Sequence, residues 1–203
     1  MDYIMFYLEK KRVWMRIMFI SMAVYLTLAG CGARDPEPYN PMGLPGKRSA
    51  EAETAYARAH ALWDRNDVCS DPVLALELLN KAIRLEPGYA EAYVRRGLAR
   101  SDLRDWDSAF DDLSRAIRLN PTAEAYAFRG LVSLRGGNYL GARKDLDKSL
   151  TITGRQYRAW NFRGVLNRQE GNQIQACKDF AAGCDRGDCN GLEMSRELGE
   201  CPR

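Results

Sequence analysis

Apolar residues fall into two regimes along this chain. Residues 17–30, Ile-Met-Phe-Ile-Ser-Met-Ala-Val-Tyr-Leu-Thr-Leu-Ala-Gly, form one 14-residue run with basic residues before it and Cys31 after it. A helix crossing a bilayer needs about 20 apolar residues. The run is short for an anchor and fits the hydrophobic segment of an export signal. Residues 31–49 then carry Pro36, Pro38, Pro41 and Pro45 with Gly43 and Gly46 and no apolar period. They read as a solvated tether of roughly 50 Å when largely extended. From residue 50 the apolar positions recur instead. Gly97, Gly130 and Gly164 follow at steps of 33 and 34, each four residues after an aromatic (Tyr93, Tyr126, Trp160). A parallel series runs Ala75, Ala109, Ala142 and Ala176, and four residues beyond each stands Leu79, Leu113, Leu146 or Phe180. A repeat of this length predicts paired helices. Gly136-Gly137-Asn138 and Gly171-Asn172 would break first helices from second ones, and Pro87 and Pro121 would stop second helices.

The order aromatic, Gly, Ala, large apolar, small residue (Ala82, Ala116, Ser149, Gly183) and Pro resembles the tetratricopeptide repeat over about residues 50–187. That resemblance implies an all-α fold: a right-handed superhelical solenoid of antiparallel helix pairs, about four units plus a C-terminal capping helix over 188–203. The first unit departs most. His60 stands where the others have glycine, about three extra residues fall around Val68-Cys69-Ser70-Asp71-Pro72, and Gly154 replaces proline after the third unit. Leu28-Ala29-Gly30-Cys31 resembles the lipobox of bacterial lipoproteins, which implies acylation of Cys31 and removal of residues 1–30. An uncleaved anchor with an incidental cysteine is the alternative, and Met15 to Gly30 would make a more compact signal. By the same resemblance, Gly32 after the cysteine, where aspartate would favour inner-membrane retention, points to the outer membrane, facing the periplasm.

Charge adds a second regularity. Arg96, Arg129 and Arg163 occupy the place just before the glycine, and sixteen residues after each lies Asp112, Asp145 or Asp179. The first unit has neither, with Ala59 and Leu78 in those places. Joint presence and joint absence suggest an Arg–Asp pair joining the two helices of a unit; solvated charges on two outer faces are the alternative. If the pair is buried, Arg129→Ala alone should destabilise more than Arg129→Leu combined with Asp145→Ala.

Composition removes several functions. The chain has 203 residues, one histidine (His60), a formal charge of +3 and 28% charged residues. Residues 1–30 hold four bases and two acids, so residues 31–203 carry 26 basic and 25 acidic groups and give no electrostatic footprint for nucleic acid. No Gly-rich phosphate loop, nucleophile motif or metal constellation supports an enzyme, and no cofactor is implied. Six cysteines need explaining. Cys177, Cys184, Cys189 and Cys201 crowd the last 27 residues without Cys-x-x-Cys or a nearby histidine, a poor zinc pattern. Export favours disulfides instead. Seven residues along one helix separate Cys177 from Cys184 by about 10.5 Å, beyond the roughly 7 Å limit for a bridge. If Gly191–Leu198 folds back as a helix, nested bridges Cys184–Cys189 and Cys177–Cys201 follow. They are similar to those of Sel1-like repeats and would staple the last repeat. Cys69 is left over, either buried or bridging two molecules.

Tetratricopeptide arrays bind peptides or helices in a concave groove lined by first helices. The resemblance implies a lining of Val94, Arg95, Leu98, Ala127, Phe128, Leu131, Asn161, Phe162 and Val165; core packing between repeats is the competing role, above all for the two phenylalanines. Versions that grip a terminal carboxylate place Lys and Asn where this chain has Val94, Leu98, Ala127 and Leu131, so an apolar groove is expected. The leading expectation is a membrane-tethered scaffold of the bacterial envelope that binds a protein or peptide. The alternative is a structural homo-oligomer.

Overall fold

The turn signals mark helix ends in the computed structural model, which describes residues 48–64 and 68–202. Nine helices lie among these residues: α1 (Ala50–His60), α2 (Pro72–Leu85), α3 (Ala90–Asp102), α4 (Trp106–Leu119), α5 (Ala123–Arg135), α6 (Tyr139–Ile152), α7 (Tyr157–Gln169), α8 (Gln173–Cys184) and α9 (Asn190–Glu197). The segments read as signal, lipobox and tether lie outside the described residues, apart from Arg48 and Ser49. Among the described residues, no helix is long and apolar enough to cross a membrane.

Helix starts are written in the sequence. Ser49, Asp71, Asp105, Thr122 and Asn138 each accept a hydrogen bond from the backbone N–H three residues on, and Pro72 occupies the first turn of α2. The first helices α3, α5 and α7 run into second helices through a residue of positive φ. Gly137 and Gly171 hold this place, both at φ +80°, but Arg104 holds it in the second unit at φ 64°. Side chains disfavour that region by roughly 1–2 kcal/mol.

Each helix packs on its neighbours in sequence, and the first helices also touch each other: α3 meets α5, α5 meets α7 and α7 meets α9. First helices therefore make one layer of the solenoid and second helices the other. The glycines set the spacing within each unit. A Cβ added at Gly97 would lie 2.9 Å from Leu113 Cγ, at Gly130 2.8 Å from Leu146 Cγ, and at Gly164 2.6 Å from the Phe180 ring. Leu113, Leu146 and Phe180 are at most 1% exposed, so each contributes about 1.5–3 kcal/mol of burial. Further along the same helix pair a small residue allows a second close approach. Ser149 is fully buried, and its hydroxyl donates to the Ala123 carbonyl at 2.7 Å.

The first unit turns differently. Its extra residues form a short antiparallel bridge between Trp63 and Cys69, with Ser70 N–H donating to the Leu62 carbonyl at 2.9 Å. Cys69 is a buried free thiol, and loss of hydration pushes its pKa up.

Candidate functional site

The three Arg–Asp pairs are present, and they reach further than the sequence pattern indicated. Arg129 Nε and Nη2 donate to the two Asp145 carboxylate oxygens at 2.7 and 2.8 Å; Arg96 with Asp112 (2.8 and 2.7 Å) and Arg163 with Asp179 (both 2.9 Å) repeat the fork. The aspartates are buried (1–5% exposed). The remaining nitrogen of each fork, Nη1, donates to the second helix of the preceding unit: Asn80 at 2.8 Å, Ser114 at 3.1 Å and Asp147 at 2.8 Å. Each guanidinium thus holds three helices, and it stacks on an aromatic of its own helix (Tyr93, Tyr126 or Trp160) within 5.7 Å. The carboxylate hydrogen bond raises the pKa of Arg129 and of Arg163, so both stay charged throughout the accessible range. Repeats spaced by one step show the Arg–Asp pairing; Asn80, Ser114 and Asp147 differ in type, so no recurrence marks the third contact.

The layer of first helices carries the expected groove residues, but not all of them line it. Leu98 (3% exposed), Ala127 and Phe128 (both 0%) are core side chains, a correction to the expected lining. Phe128 sits in the largest apolar cluster and meets Phe162 at a ring distance of 6.3 Å. Successive first helices touch, and a residue pointing between them is covered by the next unit. Asn161 is also buried (8%), its amide donating to the Asp188 carboxylate at 2.8 Å. Val94, Arg95, Leu131, Phe162 and Val165 remain half-buried at the surface.

Residues outside the expected set complete this face. A cleft of about 240 Å³ is lined by Tyr56, Glu91, Val94, Arg95, Thr122 and Glu124, among others. Arg95 lies 5.4 Å from the Trp63 ring and faces Tyr56, whose hydroxyl pKa burial raises and Arg95 partly lowers. The charges here are tied across units: Arg48 to Glu91 at 3.0 Å and Arg158 to Glu124 at 3.8 Å. Arg48 also stacks 4.1 Å from the Tyr89 ring, and Ser49 N–H donates to Glu86 at 3.0 Å. These two residues, assigned to the tether by composition, are docked on the array.

At the far end, disulfides join Cys177 to Cys201, with Cα atoms 5.6 Å apart, and Cys184 to Cys189. Both α8 and α9 are thereby held together, and Leu192 and Cys201 close the last apolar cluster over Phe180. Among the described residues, no group of three or more His, Cys, Asp or Glu could hold a metal ion.

No protein-family model matches the chain. It is 32% identical over 107 residues to tetratricopeptide repeat protein 13 of Homo sapiens, covering 53% of this chain and 12% of that protein. It is 33% identical over 122 residues to Hsc70-interacting protein 1 of Drosophila melanogaster, covering 58% and 32%. The chain thus matches a third or less of either relative's length. Among solved structures, MamA superposes with a TM-score of 0.54 at 28% identity, over 72% of this chain and 81% of that one. Repeat spacing, the stacking of helix pairs and these likenesses make the described part of residues 50–197 an all-α helical repeat solenoid, similar in fold to tetratricopeptide arrays.

Proposed function

We propose that the chain is a scaffold that binds a peptide or helix of another protein on its first-helix layer and is tethered to a bacterial envelope membrane through an acylated Cys31. The observation that carries the binding reading is the half-buried row Val94, Leu131, Phe162 and Val165, bordered by the cleft at Tyr56, Glu91 and Glu124. An apolar floor with paired charges at its rim suits an amphipathic segment better than a lone carboxylate. A relative named for interacting with Hsc70 supports protein binding as the class of activity. Tethering rests on Leu28-Ala29-Gly30-Cys31 alone; with it go the periplasm-facing outer membrane and removal of residues 1–30.

Cross-linking in intact cells followed by capture of the chain tests both halves. A specific protein should be recovered with the wild type and lost with Leu131→Glu. Recovery of the same abundant proteins from both would overturn the binding reading. Cys31→Ala should move the chain from the membrane to the soluble fraction; an unchanged distribution would overturn the lipid anchor.

A further inference from the structure

The outer face of the second helices changes character halfway along the array. The second residue of α2, α4, α6 and α8 is Val73, Asp107, Leu140 and Ile174 in turn. One helical turn further stand Glu77, Asp111, Lys144 and Lys178, and one turn beyond those Lys81, Arg115, Lys148 and Ala182. In α2 and α4 these last two places set an acid four residues before a base, the favourable order on a helix surface. In α6 both are lysine, which at the same spacing repel.

The acids that would neutralise these lysines are spent elsewhere. Every carboxylate of α6 and α8 is engaged by an arginine: Asp145 by Arg129, and Asp147 and Asp179 by Arg163. Asp185 follows only after the end of α8, two turns from Lys178. Lys144, Lys148 and Lys178 are exposed and make no ion pair among the described residues, whereas Lys81 is held by Glu51 at 2.8 Å. Leu140 and Ile174, one turn before two of these lysines, are the most exposed large apolar side chains among the described residues, at 83% and 78%. Leu140 keeps that exposure with complete helices packed before and after its own.

We propose that the outer face of α6 and α8 rests on an anionic lipid surface. Leu140 and Ile174 enter the boundary between headgroups and acyl chains. The lysines lay their methylene stems along that boundary and place their ammonium groups among the lipid phosphates. A bilayer fits better than a purely polar polyanion, because the apolar side chains lie among the cationic ones. Glu77, Asp107 and Asp111 turn the other half of the face away from negative charge, so the contact sets how the array lies on the membrane. Two apolar residues and three lysines orient a chain already held there, so this inference rests on the tethered reading.

The purified full chain is mixed with vesicles of phosphatidylglycerol and phosphatidylcholine at a one-to-two ratio and floated through a density gradient. The floated fraction is acetylated with a soluble N-hydroxysuccinimide ester, and each lysine is read by peptide mass mapping. Labelling of Lys144, Lys148 and Lys178 should fall about fivefold relative to the vesicle-free chain, corresponding to about 1 kcal/mol per lysine near such a surface. Lys81 should be unchanged. Salt at about 1 M, which shortens the screening length to about 3 Å, should restore the labelling. Leu140→Glu with Ile174→Glu should restore it too while the chain still floats, and circular dichroism should match the wild type because both side chains are exposed. A floating chain whose three lysines react as fast as without vesicles would overturn this proposal alone. A chain that does not float would overturn the tether and the proposal with it. Equal slowing on phosphatidylcholine alone would remove the charge selection, and slowing without vesicles would make a second copy the occupant. Slowing confined to intact cells would assign the face to an acidic protein instead.

Discussion

Removing Arg129 alone from the Arg129–Asp145 fork should cost more than removing both partners. Asp145 keeps 7% of its side chain exposed and Arg129 20%. With Arg129→Leu the carboxylate loses both forked hydrogen bonds and has almost no route to water; this places the cost near the low end for a broken buried pair, about 3 kcal/mol. With Asp145→Ala the guanidinium retains the Ser114 hydroxyl at 3.1 Å and its greater exposure, so about 2 kcal/mol is expected. The double variant leaves no buried charge and, like Ala59 and Leu78 in the first unit, fills the two places with one large and one small apolar residue, in exchanged order. Its cost should also be about 2 kcal/mol, leaving a coupling near 3 kcal/mol, at the upper end for contacting residues. Urea unfolding followed by circular dichroism at constant m-value measures all four proteins. Single costs that simply add in the double variant would refute the shared burial on which the ladder rests.

Four further outcomes follow from packing and linkage. Gly130→Ala should destabilise by about 1–3 kcal/mol through the collision with Leu146, whereas Gly88→Ala, with nothing within 4 Å, should change thermal stability far less. Arg104→Gly should stabilise the fold by about 1 kcal/mol, because it relieves a left-handed backbone angle that glycine already holds in the next two units; a lower melting temperature would contradict this. Loss of Cys177–Cys201 by double alanine substitution should cost about 3.5 kcal/mol and loss of Cys184–Cys189 about 2, in proportion to the loops they close, read from denaturation midpoints. Native Cys69 should resist iodoacetamide at pH 8, because burial holds the thiol protonated, and react once urea opens the first unit; rapid native alkylation would contradict its placement.

Recurrence decided what could be read in advance. Positions that repeat a residue type at 33 or 34 residues, such as Gly97, Gly130 and Gly164 or Arg96, Arg129 and Arg163, exposed both the helix pairs and the forks that join them. The third arm of each fork was hidden because its acceptors share only hydrogen-bonding capacity. The groove was misjudged at Leu98, Ala127 and Phe128 because a first helix has two adjoining apolar faces, one open and one covered by the next unit, and periodicity alone does not separate them. The docking of Arg48 was invisible because it depends on Glu91, 43 residues away.

The uneven distribution of the forks gives the solenoid a direction. The first unit has no internal Arg–Asp pair, joins the second through the Arg96–Asn80 hydrogen bond and the half-exposed Arg48–Glu91 ion pair, and turns between its helices through a short bridge. The last unit has a fork with extra donors from Asn167 and Gln175 and two covalent crosslinks. Backbone amides should therefore exchange with deuterium in a gradient, fastest in α1 and α2 and slowest in α7 and α8. Under tension the array would peel from its amino end. That is the end from which a lipid at Cys31 would pull, so a strained tether would open the first unit while the disulfide-closed end stays folded.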